Sequence, residues 1–132
     1  MYCVSKPLAA AILLGCLAFT PSFVSRLVAF QGSANPVPAS EATIKAGATV
    51  YGRMCRSCHG LTGKGDGIAA PPGTKPANLV DAEWKHGSSD AEIFKNIRQG
   101  IAPFDAMRPQ KGLSDADIWS IIHYLRSLAA KK

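Results

Sequence analysis

One pentapeptide, CRSCH at residues 55–59, limits what this chain can become more than any other part of it. It holds two cysteines at i and i+3, with a histidine directly against the second. Three chemistries use such a pair: a redox disulfide, a zinc site, and covalent attachment of haem. Zinc asks for four ligands, commonly as two pairs at matching spacing. Here the other cysteines, Cys3 and Cys16, fall in an apolar N-terminal stretch, and His86 and His123 stand alone. A thioredoxin-like dithiol expects a βαβ setting, and no segment shows the alternation of a β-strand. Haem attachment accounts for all three residues. Cys55 and Cys58 form thioethers to the two vinyl groups, and His59 is delivered to one face of the iron.

A six-coordinate iron needs a second axial ligand from elsewhere in the chain. Of the three methionines, Met1 is the start and Met54 adjoins Cys55. Met107, in PFDAMRPQ between Pro103 and Pro109, is therefore the candidate, and His/Met ligation raises the potential into the range of an electron carrier. The competing reading is a core gap-filler, a common use of methionine. His86 is the rival ligand, in a loop before the middle helix. His123 falls off the apolar stripe of its helix and reads as a solvent-facing residue.

Residues 1–34 read as a leader, either a signal peptide or an N-terminal membrane anchor. Lys6 precedes an apolar run from Leu8 to Phe19, the layout of an export signal. Three fates fit it: cleavage after Ala34, retention across a bilayer through residues 7–30, or lipidation at Cys16 in LLGC. Each puts the domain in the periplasm or on the external face of the cytoplasmic membrane. The leader inflates the hydrophobic fraction of 47%, so that figure does not describe a large core. It also holds Lys6 and Arg26 of a net +6, leaving a mild +4 with acids interleaved. No basic run is dense enough for nucleic acid. An acidic docking face on a redox partner suits that balance better, with Arg56, Lys64, Arg108 and Lys111 as a basic rim.

NPVPAS, residues 35–40, reads as a linker into a domain of residues 41–132. Three helices are expected there. The first runs from Glu41 to about Arg53, with Ile44, Gly47, Ala48, Tyr51 and Cys55 on one face. The second, Asp90–Gln99, carries Ile93, Phe94 and Ile97, with a Ser89/Glu92 capping box and Gly100 as its stop. The third, Asp115–Ala129, carries Ile118, Ile121, Ile122, Leu125 and Leu128 behind Ser114 as N-cap. Between them, residues 59–81 hold five glycines and three prolines and read as loop, as do residues 101–113. GLTGKGDG lacks the Gly-Lys-Ser/Thr of a phosphate loop, and flexible backbone beside a haem edge is the simpler account.

From residue 40 to 130 the chain resembles a class I, mono-haem cytochrome c, through CRSCHG, GKGDG, KPANL, WKHGSSDAEIFKNIRQGI and LSDADIWSIIHYLRSL. The resemblance implies an all-α cytochrome c fold: three main helices and long Gly/Pro-rich loops wrapped around one covalent haem c. It implies that the first and last helices cross at Gly47, with Tyr51 packed on Tyr124. It also implies a backbone carbonyl accepting the His59 Nδ1 proton, for which Pro71 and Pro72 are the candidates. Trp84 is read either as a donor to a haem propionate or as a core aromatic. Many relatives have proline after GDG, where this chain has Ile68.

These residues support an electron carrier between respiratory or dehydrogenase partners, not itself an enzyme. Two alternatives stay open: a haem with a labile sixth site, peroxidase-like or gas-sensing, and a tethered cytochrome subunit of a larger redox complex.

Overall fold

The structure, a computed structural model, describes residues 35–82, 84–103 and 107–131; the expectations for the leader lie outside them. Four helices follow in order: α1 (Glu41–Met54), α2 (Arg56–His59), α3 (Asp90–Gln99) and α4 (Asp115–Ala129). No β-strand occurs among the described residues; the nearest approach is a single antiparallel bridge between Ile101 and Met107. None of these helices is long and apolar enough to cross a membrane.

Each long helix starts on a capping box. Ser40 with Thr43, Ser89 with Glu92, and Ser114 with Asp117 each exchange side chain and backbone bonds reciprocally. Such caps contribute about 0.5–2 kcal/mol apiece, because they satisfy amides the helix cannot. The serine bonds hold the Glu92 and Asp117 carboxyls below their usual range. α3 ends where expected, on Gly100 at φ 73°.

α1 and α4 form the main packing, and α3 lies against α4. Val50, Tyr51, Ile93, Ile97, Ile118, Ile121, Ile122 and Leu125 make one buried cluster. Full burial of a side chain such as Ile118, at 0% exposure, stabilises by roughly 1.5–3 kcal/mol. At the helix crossing Gly47 lies against the backbone of Ser120, so close that a Cβ would overlap the Ser120 carbonyl. Ser120 is buried for that reason, although it is polar. Tyr51 packs on Tyr124 as expected, with ring centroids 5.2 Å apart and tilted by 55°. Phe94 stacks on Trp119 at 4.4 Å, which joins α3 to α4.

His123 corrects the sequence reading. Asn35 donates from Nδ2 to the Trp119 carbonyl at 3.0 Å, and His123 Nε2 lies 2.7 Å from the Val37 carbonyl. His123 is thus half-buried, and residues 35–37 lie along α4 rather than hanging free. Helical periodicity put His123 off the apolar stripe correctly; it could not show that a distant segment folds over that side.

Candidate functional site

The CRSCH segment begins at the last turn of α1. Cys55 ends that helix, its N–H donating to Tyr51 O at 2.9 Å, and it also opens α2. This one-turn helix was missed in the sequence because a four-residue element has no periodicity to read. Its bonds from Cys58 N and His59 N to Cys55 O fix the motif in a helical turn. Cys55 and Cys58 therefore share a side of it, unpaired with each other. Burial, reinforced by Cys58, pushes the Cys55 thiol up to about 11.

The following loop is laced to α2 rather than flexible. Gly65 N–H donates to His59 O at 2.9 Å, Gly67 N–H to Cys58 O at 3.1 Å, and Ala69 N–H to Ser57 O at 2.9 Å. These bonds satisfy carbonyls that a short helix leaves without partners. Gly67 is required by the close approach: a Cβ there would run into the backbone of Ser57 and Cys58. The buried Tyr51 hydroxyl donates to Gly60 O at 2.7 Å and ties the loop back to the core. That burial raises its pKa well above the ordinary phenol value.

Ala77 contributes the carbonyl facing His59, at 3.2 Å from Nδ1. Pro71 and Pro72 do not; Pro71 O accepts instead from Thr74 N and Oγ1, closing a local turn. The physical cause is the path of KPANL. Leu79 N–H bonds to Gly63 O at 2.6 Å, and the Pro76 and Ala77 carbonyls lie against Gly65, itself bonded to His59. A carbonyl only accepts, so the Nδ1 proton must point at Ala77, leaving Nε2 as the imidazole's free lone pair. Burial lowers the His59 pKa and the Ala77 bond opposes that shift, which favours the neutral, ligating form.

Met107 is half-buried and packs against the main cluster, as do Cys55, Leu79 and Trp84. Its carbonyl accepts from Ile101 N–H at 3.0 Å. Trp84 packs partly buried against that cluster, and its indole N–H donates to Asp81 O at 3.0 Å. His86 is exposed, its carbonyl taken by Asn96 Nδ2. Among the described residues no three His, Cys, Asp or Glu side chains gather as a metal site, so the zinc reading finds no second ligand pair.

A haem fits these residues by their chemistry. Two unpaired thiols stand a turn apart, and a neutral imidazole is oriented by its other nitrogen. A thioether lies against the same apolar cluster as Cys55. Arg56, Lys64, Arg108 and Lys111 are exposed. An open groove of about 760 Å³ borders α2, lined by Arg53 and Arg56, Asp66, Leu61 and Ile68. Leu61 is 68% exposed and Ile68 is fully exposed. Ile68 thus stands in solvent.

Residues 42–125 match the family described as "Cytochrome C oxidase, cbb3-type, subunit III". The cbb3-type cytochrome c oxidase subunit CcoP of Rhodobacter capsulatus is 29% identical over 116 residues, 82% of this chain and 37% of that protein. The FixP subunit of Sinorhizobium medicae is 28% identical over 87 residues, 64% of this chain and 28% of its own length. The chain thus spans about a third of the curated relatives it matches. Among solved structures, a chain of the Kuenenia stuttgartiensis reducing HAO-like protein complex superposes with a TM-score of 0.62 at 31% identity. That match covers 70% of this chain and 46% of the other. The KustC0563 c-type cytochrome gives 0.51 at 26% identity, covering 62% of this chain and 95% of its own.

Proposed function

The chain belongs to the family of the cytochrome c oxidase, cbb3-type, subunit III, a family of c-type cytochromes, and from that membership we propose that it carries single electrons through one covalent haem c. A haem held here supplies a one-electron couple. The chain's own residues would do the rest: Cys55 and Cys58 would tether the ring, His59 and Met107 would ligate the iron, and domain 41–132 would exclude water from it. The observation that carries this reading is the His59 Nδ1 bond to Ala77, which aims the free Nε2 lone pair while two unpaired thiols stand beside it. One C-x-x-C-H in the sequence supports one haem per chain.

With His59 and Met107 both engaged, a bound haem would leave no place for a substrate, which supports a carrier rather than an enzyme. The labile-site alternative needs a distal acid or base. Its candidate, His86, is exposed. A place as a tethered subunit of a larger redox complex is favoured by the relatives, which are oxidase subunits by name. The leader supports a location outside the cytoplasmic membrane, soluble or anchored.

Visible spectra of the exported protein test the reading. Haem that stays on the chain through denaturing extraction is expected, with a weak far-red sulfur-to-ferric-iron band in the native oxidised state. Covalent haem without that band removes Met107 from the iron; no covalent haem overturns the whole reading.

The basic rim makes a second expectation. Electron transfer to an acidic redox protein slows as salt rises, because screening shortens from about 10 Å at 0.1 M to about 3 Å at 1 M. Stopped-flow rates that stay flat across that range overturn the acidic docking face.

A further inference from the structure

The two arginines that join α3 to α4 have different reach. Arg126, on α4, donates to Asp90 at 2.7 Å and to Ser88 O, both at the start of α3. Arg98, in the last turn of α3, pairs with Asp115 at the start of α4. It also donates from Nη1 to Leu113 O at 2.7 Å and to Gln110 O at 3.4 Å. Its guanidinium lies over the Phe94 ring, 5.7 Å from the centroid, and that ring is stacked on Trp119. Arg98 therefore grips the chain that leads from Met107 into α4, whereas Arg126 touches none of it.

The Met107 segment is held at both flanks. On one side Ile101 N–H bonds to Met107 O, and Gly100 makes the turn at φ 73° where a Cβ would press on that same carbonyl and on Pro109. On the other side Gln110 N–H returns to Ile97 O at 3.0 Å, and Gln110 is the residue Arg98 also holds. The fork geometry of a guanidinium lets one side chain bridge two carbonyls and a carboxylate; an ammonium on a flexible stem does not do this as well.

We infer that Arg98 is a positioning residue for Met107, and that its grip on Gln110 and Leu113 sets how firmly the thioether stays in place. The inference rests on Met107 being an iron ligand. A neutral thioether is a weak ligand that persists because the loop keeps it at high effective concentration. An outside ligand binds with an apparent affinity scaled by the fraction of molecules whose loop is open.

The test is an imidazole titration of the ferric holoprotein at fixed pH, followed by the thioether band. Arg98→Gln is expected to lower the half-displacing imidazole concentration by about tenfold, through a larger open fraction. Arg98→Lys, which keeps the Asp115 pair, is expected to fall between it and the wild type. Arg126→Gln also loses a tie between α3 and α4, and so melts earlier, but its imidazole curve is expected to coincide with the wild type. If Arg98→Gln does not hold haem, Arg98→Lys against Arg126→Gln carries the same comparison. Coincident curves for the Arg98 and Arg126 variants, or an unmoved Arg98 curve, overturn the inference and leave Met107 as ligand. A wild-type protein lacking the band overturns the ligation and the inference together.

Discussion

The double variant Cys55→Ser/Cys58→Ser is expected to carry no haem after denaturing extraction and to lose its cooperative thermal unfolding. Serine is close in size and suits the helical turn of α2, so the change is confined to the sulfur that would form the thioether. The second half of the expectation follows from the size of the core. Among the described residues eight form the buried cluster, and every one of them comes from α1, α3 or α4. Among the described residues of the loops over 60–82 and 101–113, Val80 is the buried hydrophobic side chain. Small domains bury too little surface to stand alone and usually need a covalent or cofactor staple. Haem staining on a denaturing gel and circular dichroism against temperature check both halves. A stained band from the double variant overturns the attachment reading; a sharp, wild-type-like melt of the unstained protein shows that the polypeptide core suffices.

Gly47→Val is expected to be the most damaging single change outside the attachment motif, costing about 3 kcal/mol or more, at the upper end of what overpacked sites lose. The obstacle is main chain. A Cβ on residue 47 would overlap the carbonyl carbon and oxygen of Ser120, and no rotamer change moves those atoms. The helices must separate instead, which loosens Tyr51 from Tyr124 and opens the seam around Ile118, Ile121 and Ile122. Gly47→Ala meets the same overlap with a smaller group, and its gain in helix propensity of about 1 kcal/mol offsets only part of the loss. Gly52 is the internal control, because it lies on the same helix with nothing within 4 Å of its would-be Cβ. Gly52→Ala is expected to stabilise by about 0.5–1 kcal/mol through propensity alone. Urea midpoints of the haem-bearing variants measure both. A Gly47→Ala protein as stable as the wild type shows that the two helices do not meet this closely.

The boundaries of α3 and α4 were legible to the residue because capping is a local matter. Ser89 with Glu92 and Ser114 with Asp117 lie three positions apart, so the sequence displays both partners together. The CRSCH motif was legible on the same ground, since its residues stand side by side in the sequence. Val50 was missed on α1, where the expected stripe ran through Ile44, Ala48 and Cys55; Ile44 and Ala48 are only half-buried. The stripe there is broader than a strict four-residue spacing, because α1 buries residues on both sides of Gly47 against α4.

What the sequence determined by itself was a set of features whose partners lie within a helical turn: the caps of α3 and α4, the stop at Gly100, the paired thiols and the histidine beside them. What only the tertiary structure decided was which distant backbone meets each of those groups. Ala77 rather than Pro71 or Pro72 faces His59 across eighteen residues, and Val37 meets His123 across eighty-six. Arg98 selects Leu113 and Gln110 across a loop that shows no pattern of its own. Glycine and proline permit many loop paths at nearly equal local energy, so composition could only say that residues 59–81 were loop. The path is chosen by long-range bonds, Leu79 to Gly63 and Gly67 to Cys58, and such partners leave no spacing in a sequence from which to infer them.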